Sequence, residues 1–381
     1  MKSLRRKIAF VFNHPYFLGG GEKSFFELIR IIDKELFEPI VMTPEKGEIE
    51  KACHEQGIEV CVTPFPSLKP SLFASPARSL LRLMEVLKAV TPDIIHVNGS
   101  RACLYAAMAG RMVGIPVVWH VRETIQDLFL YDGFLGALSK TIICVSKGVA
   151  RKRFARFGGP INKKIAVVYN GVDTEIFTMK EGTRQRARKH LGLGDDILFG
   201  IVGNLVPLKG QDFFLRALGK VKERRPDCSI KVLIIGRPLD QSFSDMIRQM
   251  VADTHMTGQV LFRPYCEQIT DILSALDVFV LPSRREGFSR SLLEAMSFAL
   301  PVLASNIGVI AEAAPDGDNA ILVDFGDEEE MASGIIKMCE DPMLRQKMGE
   351  RNRSRVVAQF GLTSHVESIQ GIYNRLLTQR P

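Results

Sequence analysis

Short apolar runs alternate with amphipathic stretches from one end of the chain to the other: "KIAFVFN", "FEPIVMT", "DIIHVN", "PVVWHV", "TIICVS", "KIAVVYN", then "ILFGIVG", "KVLIIG", "QVLFR", "DVFVLPS", "PVLAS" and "AILVD". Strands half exposed to water alternate apolar and polar residues, whereas these runs are continuous in Val, Ile, Leu and Phe. That is the signature of parallel strands covered on both faces. The stretches between them are long enough for crossover helices, so the pattern predicts an α/β protein with parallel sheets. The alternation breaks at "NGVDTEIFTMKEGTRQRARKHLGLGDD", where a charged helix sits between Gly-containing loops. This places an interdomain linker around residues 171–195. The tail "TSHVESIQGIYNRLLTQRP" carries apolar residues at helical spacing and predicts a final packed helix.

Composition adds domain count and compartment. At 381 residues with 46% apolar content, the chain is longer than one core sustains and has enough hydrophobic mass for two. The cysteines Cys53, Cys61, Cys103, Cys144, Cys228, Cys266 and Cys339 are dispersed and form no C-x-x-C pair. Neither a disulfide framework nor a zinc site is expected, and a reducing compartment, the cytosol, is. The basic N-terminus "MKSLRRKIAFVFNHP" lacks a cleavage site and reads as a first strand. No run reaches the roughly 20 apolar residues needed to span a bilayer. Residues 1–180 hold 25 Lys and Arg against 17 Asp and Glu, so the excess positive charge lies in the first half. A basic half attracts nucleic acid, anionic lipid or a phosphorylated substrate, or is simply a solvated surface.

Four places suit chemistry. In "NHPYFLGGGEKSFFELIR", Gly19, Gly20 and Gly21 allow close backbone approach just before a helix expected to begin near Glu22, whose N–H groups favour an anion. The same glycines also suit a plain strand-to-helix turn. In "VVWHVRETIQDL", His120 and Arg122 fall at the C-terminal end of a strand, the edge where open α/β sheets bind ligands. In "FGIVGNLVPLKGQDFFLRAL", Lys209 lies in a strand-to-helix loop and can meet a phosphate as a point charge. In "DVFVLPSRREGFSRSLLEAMSFALPV", Glu286 stands at a strand edge. Glu294 lies two turns into the following helix among core-spaced apolar residues, where a charge without a partner is costly. A hydroxyl-rich ligand is a partner of the right chemistry for both carboxylates.

Taken together, the E-x7-E pair in "EGFSRSLLEAMSFALPV", with "VYNGVDTEIF", "VGNLVPLKGQDFFLRAL", "GGGE" and "DVFVLPS", resembles the retaining glycosyltransferases of family 4, or group 1, in the family's order and across nearly the whole chain. The resemblance implies the GT-B fold, two Rossmann-like domains facing each other across a cleft. It assigns residues 1–175 to acceptor binding, 176–362 to nucleotide-sugar binding and 363–381 to a helix crossing back to the first domain. It implies that His120, Glu286 and Lys209 are catalytic. Gly20, Asn204, Lys209, Arg237, Glu286, Gly287, Phe288, Ser289 and Glu294 would hold the donor, and Gly19, Glu22 and Arg122 would lie on the acceptor side. Glu294 would take the ribose hydroxyls, Lys209 the diphosphate, and Glu286 with residues 287–289 the transferred sugar. The implied reaction is metal-independent transfer of a hexose from a nucleotide sugar, UDP-linked by the family's habit. The acceptor would be a saccharide or lipid-linked chain in envelope or exopolysaccharide synthesis, with no role for nucleic acid.

Asn204 stands where the family commonly has Arg, which leaves Arg237 or Arg290 to supply the second diphosphate cation. Ser289 and Ala320 replace frequent glycines. Asp316-Gly317-Asp318 has the form of a metal-binding D-x-D but reads as a turn before a strand. Two other functions remain open on sequence: a nucleotide-sugar epimerase or hydrolase on the same fold, and a non-catalytic scaffold. The segments "SPARSLLRLMEVLKAV" and "RKRFARFGGPINKK" suit either peripheral contact with an anionic membrane or ordinary basic helix faces.

Overall fold

A computed structural model of the chain describes residues 5–65, 76–124, 129–265 and 269–378. The chain divides into two compact units, Met1–Asn170 with Thr363–Pro381, and Gly171–Leu362. The first is built on strands β1 (Arg6–Phe12), β2 (Phe37–Thr43), β3 (Glu59–Val62), β4 (Ile94–Asn98), β5 (Val117–Val121), β6 (Thr141–Cys144) and β7 (Ile165–Val167). Their order across the sheet is β3-β2-β1-β4-β5-β6-β7, and every pairing is parallel. The second unit holds β8 (Ile197–Val202), β9 (Ile230–Ile235), β10 (Val260–Arg263), β11 (Val278–Leu281), β12 (Val302–Ser305) and β13 (Ile321–Val323), in the order β10-β9-β8-β11-β12-β13, again all parallel. Both are Rossmann-like arrangements. In each, the order reverses beside the first strand, between β1 and β4 and between β8 and β11.

The strand that the apolar runs do not announce is β3, a short edge strand whose "EVCV" begins with an exposed Glu59. The central strands are buried on both faces, as their composition requires: Ile8 to Phe12 of β1 and Val232 to Ile235 of β9 are inaccessible to water. In the first unit, Phe10 and Phe12 pack edge-on to Phe25 of the helix Gly20–Ile31. The last helix, Leu362–Thr378, completes this core with Val366, Ile369, Ile372, Tyr373 and Leu376, a one-face spacing. Its Gln370 also accepts a hydrogen bond from the Asp33 backbone at 2.8 Å.

The stretch read from sequence as a linker belongs to the second unit. Its helix Thr183–His190 is charged because its arginines reach a distant carboxylate. Arg188 meets Asp277 at 2.9 Å, Arg184 meets the same side chain, and Asp277 in turn accepts from the Leu198 backbone at the start of β8. Charge here marks an anchored helix.

Of the cysteines, Cys53, Cys61, Cys103, Cys144, Cys228 and Cys339 are free thiols. Cys266 lies outside the described residues, as do Met1 to Leu4 of the basic head and Ser75 of the amphipathic segment. Among the described residues no helix is long and apolar enough to cross a membrane.

Candidate functional site

Each unit gathers its candidate residues at the C-terminal edge of its sheet, where two crossovers leave in opposite directions and open a crevice. In the second unit that edge is shaped by close backbone approach. A Cβ on Gly210 would stand 1.9 Å from the Pro282 carbonyl oxygen, and one on Gly236 would stand 2.0 Å from that of Gly203. Gly210 also has φ +67°, the left-handed conformation that favours glycine, and from it the helix Gln211–Arg224 departs. The turn Pro207–Lys209 is thereby pressed against the end of β11.

That proximity joins two candidates far apart in sequence. Lys209 Nζ donates to Glu286 Oε1 at 2.7 Å, and Ser283 Oγ donates to the same oxygen at 2.7 Å. Ser283 is fully buried, which fixes the Glu286 carboxylate by one rigid contact and one charged one. Ser289 caps the next helix, Arg290–Ser297, by accepting from the Leu292 N–H at 3.3 Å, while Phe288 is buried against Phe360. Gly287 bridges Glu286 and this cap.

Glu294 corrects the sequence reading in one respect. It is buried, but its charge has a protein partner: Arg290 Nε donates to Glu294 Oε1 at 2.6 Å across one helical turn. Burial therefore does not by itself call for a ligand, and Arg290 is engaged by Glu294. Asn204 lies in the loop after β8, where its carbonyl accepts from Gln211 Nε2 at 3.0 Å. Arg237 stands beside it, its carbonyl accepting from the Leu205 N–H at 2.9 Å and its guanidinium over the Tyr265 ring at 5.9 Å. The neighbouring strand end thus brings the Arg237 backbone alongside the loop that holds Asn204. Asp316 accepts from the Leu322 N–H at 2.9 Å and Asp318 pairs with exposed Arg351 at 2.6 Å, with Gly317 at φ +77° between them. The D-x-D residues make a turn.

In the first unit, the helix expected near Glu22 begins two residues earlier, at Gly20, so Gly20 and Gly21 form its first turn. Gly19 precedes it and donates its N–H to Glu22 Oε2 at 3.1 Å. A Cβ on Gly21 would lie 3.3 Å from Arg122 Cδ, so the glycine makes room for that side chain. Arg122 is the hub. Its Nε donates to Asn98 Oδ1 at 2.8 Å, Nη1 to Asn170 Oδ1 at 2.8 Å and to Ser24 Oγ at 3.3 Å, and Nη2 lies 3.3 Å from His120 Nδ1. Burial raises the Glu22 carboxyl above its ordinary value, with Arg122 opposing.

His120 is fully buried at the end of β5, with its Nδ1 3.1 Å from His96 Nε2, and His96 Nδ1 bonded to the hydroxyl of Tyr373. Sequence reasoning passed over His96, although a histidine inside the apolar run "DIIHVN" is itself a signal. It also passed over Ser283, Asn98 and Asn170, whose roles exist only through contacts. Burial first, and the Arg122 charge second, lower the pKa of His96 and of His120; the same two causes bring His365 to about 4.

Residues 18–176 match the family described as Glycosyltransferase Family 4, and residues 183–355 that described as Glycosyl transferases group 1. The chain is 25% identical over 382 residues to UDP-Gal:alpha-D-GlcNAc-diphosphoundecaprenol alpha-1,3-galactosyltransferase of Escherichia coli, with 96% of each chain covered. It is 29% identical over 308 residues to N-acetyl-alpha-D-glucosaminyl L-malate synthase of Bacillus anthracis, with 78% of each covered. Among solved structures, HepE of Anabaena in complex with UDP and glucose matches with a TM-score of 0.85 at 20% identity, over 97% of this chain and 100% of that one. At that identity the likeness speaks for the fold.

The buried histidines have a consequence for stability. Above their ordinary value of 6.5 they are neutral whether folded or not; below it the unfolded chain takes up protons that the folded chain refuses. Stability is expected to fall as pH drops from 6.5 towards the His365 value of about 4, with Glu22 opposing weakly in the lower part of that range. His365→Asn is expected to flatten the slope by about 1.4 kcal/mol per pH unit, one proton's worth. Denaturant melts between pH 6.5 and 5 test this, and a flat profile for the wild type would contradict it.

Proposed function

Because the chain belongs to glycosyltransferase family 4, group 1, and has the GT-B fold of two Rossmann-like domains, we propose that it transfers a hexose-type sugar from a UDP-sugar with retention of configuration. The acceptor in this reading is a saccharide or lipid-linked chain of envelope or exopolysaccharide synthesis. The convergence of Lys209, Ser283 and Glu286 at the order reversal of the second sheet, with Glu294 on the adjoining helix, carries the reading. The E. coli relative named for a UDP-galactose donor and a diphosphoundecaprenol acceptor supports the substrate classes.

The chemistry follows from the charges. As the bond between the sugar's anomeric carbon and the phosphate oxygen breaks, negative charge grows on the diphosphate. A lysine already held at the loop edge meets that charge without reorganising, and Arg237 beside Asn204 supplies a second cation where the family commonly has Arg. Donor binding exchanges the Lys209–Glu286 contact for two others, ammonium to diphosphate and carboxylate to sugar hydroxyls. The acceptor oxygen attacks the same face, and its proton passes to the departing phosphate, so the protein need supply no base and, in this reading, no metal. Gly287, Phe288 and Ser289 present the backbone that follows Glu286 to the sugar. On the first domain, Gly19, Gly20, Glu22, His120 and Arg122 form the acceptor-side wall.

Contact with an anionic membrane is the finer part of this reading, and the first domain supports it. The helix Phe129–Leu138 exposes Phe129, Leu130 and Phe134, with Leu130 84% accessible, and the next helix, Lys147–Phe154, presents exposed Arg151 and Lys152. Apolar side chains flanked by cations are what a peripheral lipid contact requires.

Lys209→Ala and Glu286→Ala are each expected to lower transfer at least 100-fold, about 2.7 kcal/mol or more of transition-state stabilisation. Slow hydrolysis of a panel of nucleotide sugars identifies the donor without the acceptor, and wild-type turnover by either folded variant would remove the assignment. A chelator is expected to leave the rate unchanged; loss restored by a divalent cation would overturn metal independence. Vesicles containing anionic lipid are expected to retain the protein at low salt and release it at high salt, and Leu130→Glu to weaken retention. No retention by the wild type at low salt would remove the membrane contact.

A further inference from the structure

The polar chain Tyr373–His96–His120 has a direction that the geometry determines. The two imidazoles are nearly parallel, 11° apart, with centroids separated by 5.2 Å and the nearest nitrogens by 3.1 Å. Rings stacked face to face keep their atoms at least about 3.4 Å apart, so these lie edge to edge, as a ring-to-ring N–H···N hydrogen bond requires. Arg122 then breaks the symmetry. A guanidinium only donates, and its Nη2 lies 3.3 Å from His120 Nδ1, so that nitrogen is the acceptor. His96 Nε2 therefore carries the proton of the shared bond, and its Nδ1 accepts from the Tyr373 hydroxyl. The hydrogen left on His120 is on Nε2, which is buried and finds no partner among the described residues.

We propose that Tyr373 and His96 are positioning residues that lock His120 as the Nε2–H tautomer, so that it offers the transferred sugar a hydrogen-bond donor and no base. This rests on the placement of His120 beside the sugar. It adds that the last helix of the chain, through one hydroxyl, sets the polarity of a group at the end of β5. A donor at that place complements a reaction in which the departing phosphate takes the acceptor's proton: Nε2–H steadies a sugar oxygen as charge develops at the anomeric carbon and competes for no proton.

The test reads the tautomer directly. Long-range nitrogen–proton correlation spectra of the 15N-histidine-labelled, unliganded full chain, with the His120 signals identified by their loss in His120→Gln, are expected to show Nε2 protonated and Nδ1 bare. Tyr373→Phe keeps the ring that packs edge-on to Phe37 and Phe10 and removes only the donor. It is expected to give mixed tautomers at His96 and His120 and to lower kcat about tenfold, with KM for the donor within about twofold. His96→Gln, which breaks the chain one link later, is expected to shift the His120 signals in the same way. A wild-type His120 protonated at Nδ1, or unchanged His120 signals in both variants, would overturn the relay. Spectra as expected, together with full transfer by His120→Gln, would instead overturn the placement of His120 at the sugar and leave the tautomer assignment standing.

Discussion

Parallel strands buried on both faces require crossovers, and each crossover must leave the sheet on one side or the other. Where successive crossovers part, beside β1 and beside β8, the strand ends are the place at which backbone and side chains are not consumed by the sheet itself. The site in the second domain depends on how tightly that opening is drawn together. With the Pro282 carbonyl 1.9 Å from where a Gly210 Cβ would be, no other residue lets the Lys209 turn approach the end of β11 as it does. Lys209, Ser283 and Glu286 converge because two loops nearly touch.

The candidate residues of the two domains meet buried polarity in different ways. In the second, opposite charges compensate each other in pairs, Lys209 with Glu286 and Arg290 with Glu294. In the first, Arg153 and Asp132 form a buried pair of the same kind, while Arg122 donates to Asn98, Asn170, Ser24 and His120. Burial first, and the charge of Arg122 second, keep the nearby histidines uncharged. The contrast matches the division of labour proposed for them: a diphosphate must displace a carboxylate in one domain, and a neutral hydroxyl meets a neutral donor in the other.

The sheets were legible in the sequence because continuous apolar runs carry their own explanation, and β3 was not because an edge strand needs no such run. The Lys209–Glu286 contact, 77 residues long in sequence, was legible only as two separate strand-end candidates. Arg290 and Glu294 are a different kind of miss. Their i, i+4 spacing on a helix was readable, and it removes the argument from an uncompensated charge. The charged helix within the stretch 171–195 looks like free surface in the sequence until its distant partner, Asp277, is seen. His96 was visible as an interruption of an apolar strand, but its meaning comes from Tyr373 at the far end of the chain.

The first domain is closed by a helix that follows the whole second domain in the chain. Val366, Ile369, Ile372, Tyr373 and Leu376 are among its core residues, and burying such side chains is worth about 1.5–3 kcal/mol apiece. During synthesis on the ribosome, the amino-terminal sheet therefore emerges with an open apolar face and waits for the whole second domain to be made. A stop codon just after Leu362 would leave every described strand intact and still deny the first domain part of its interior.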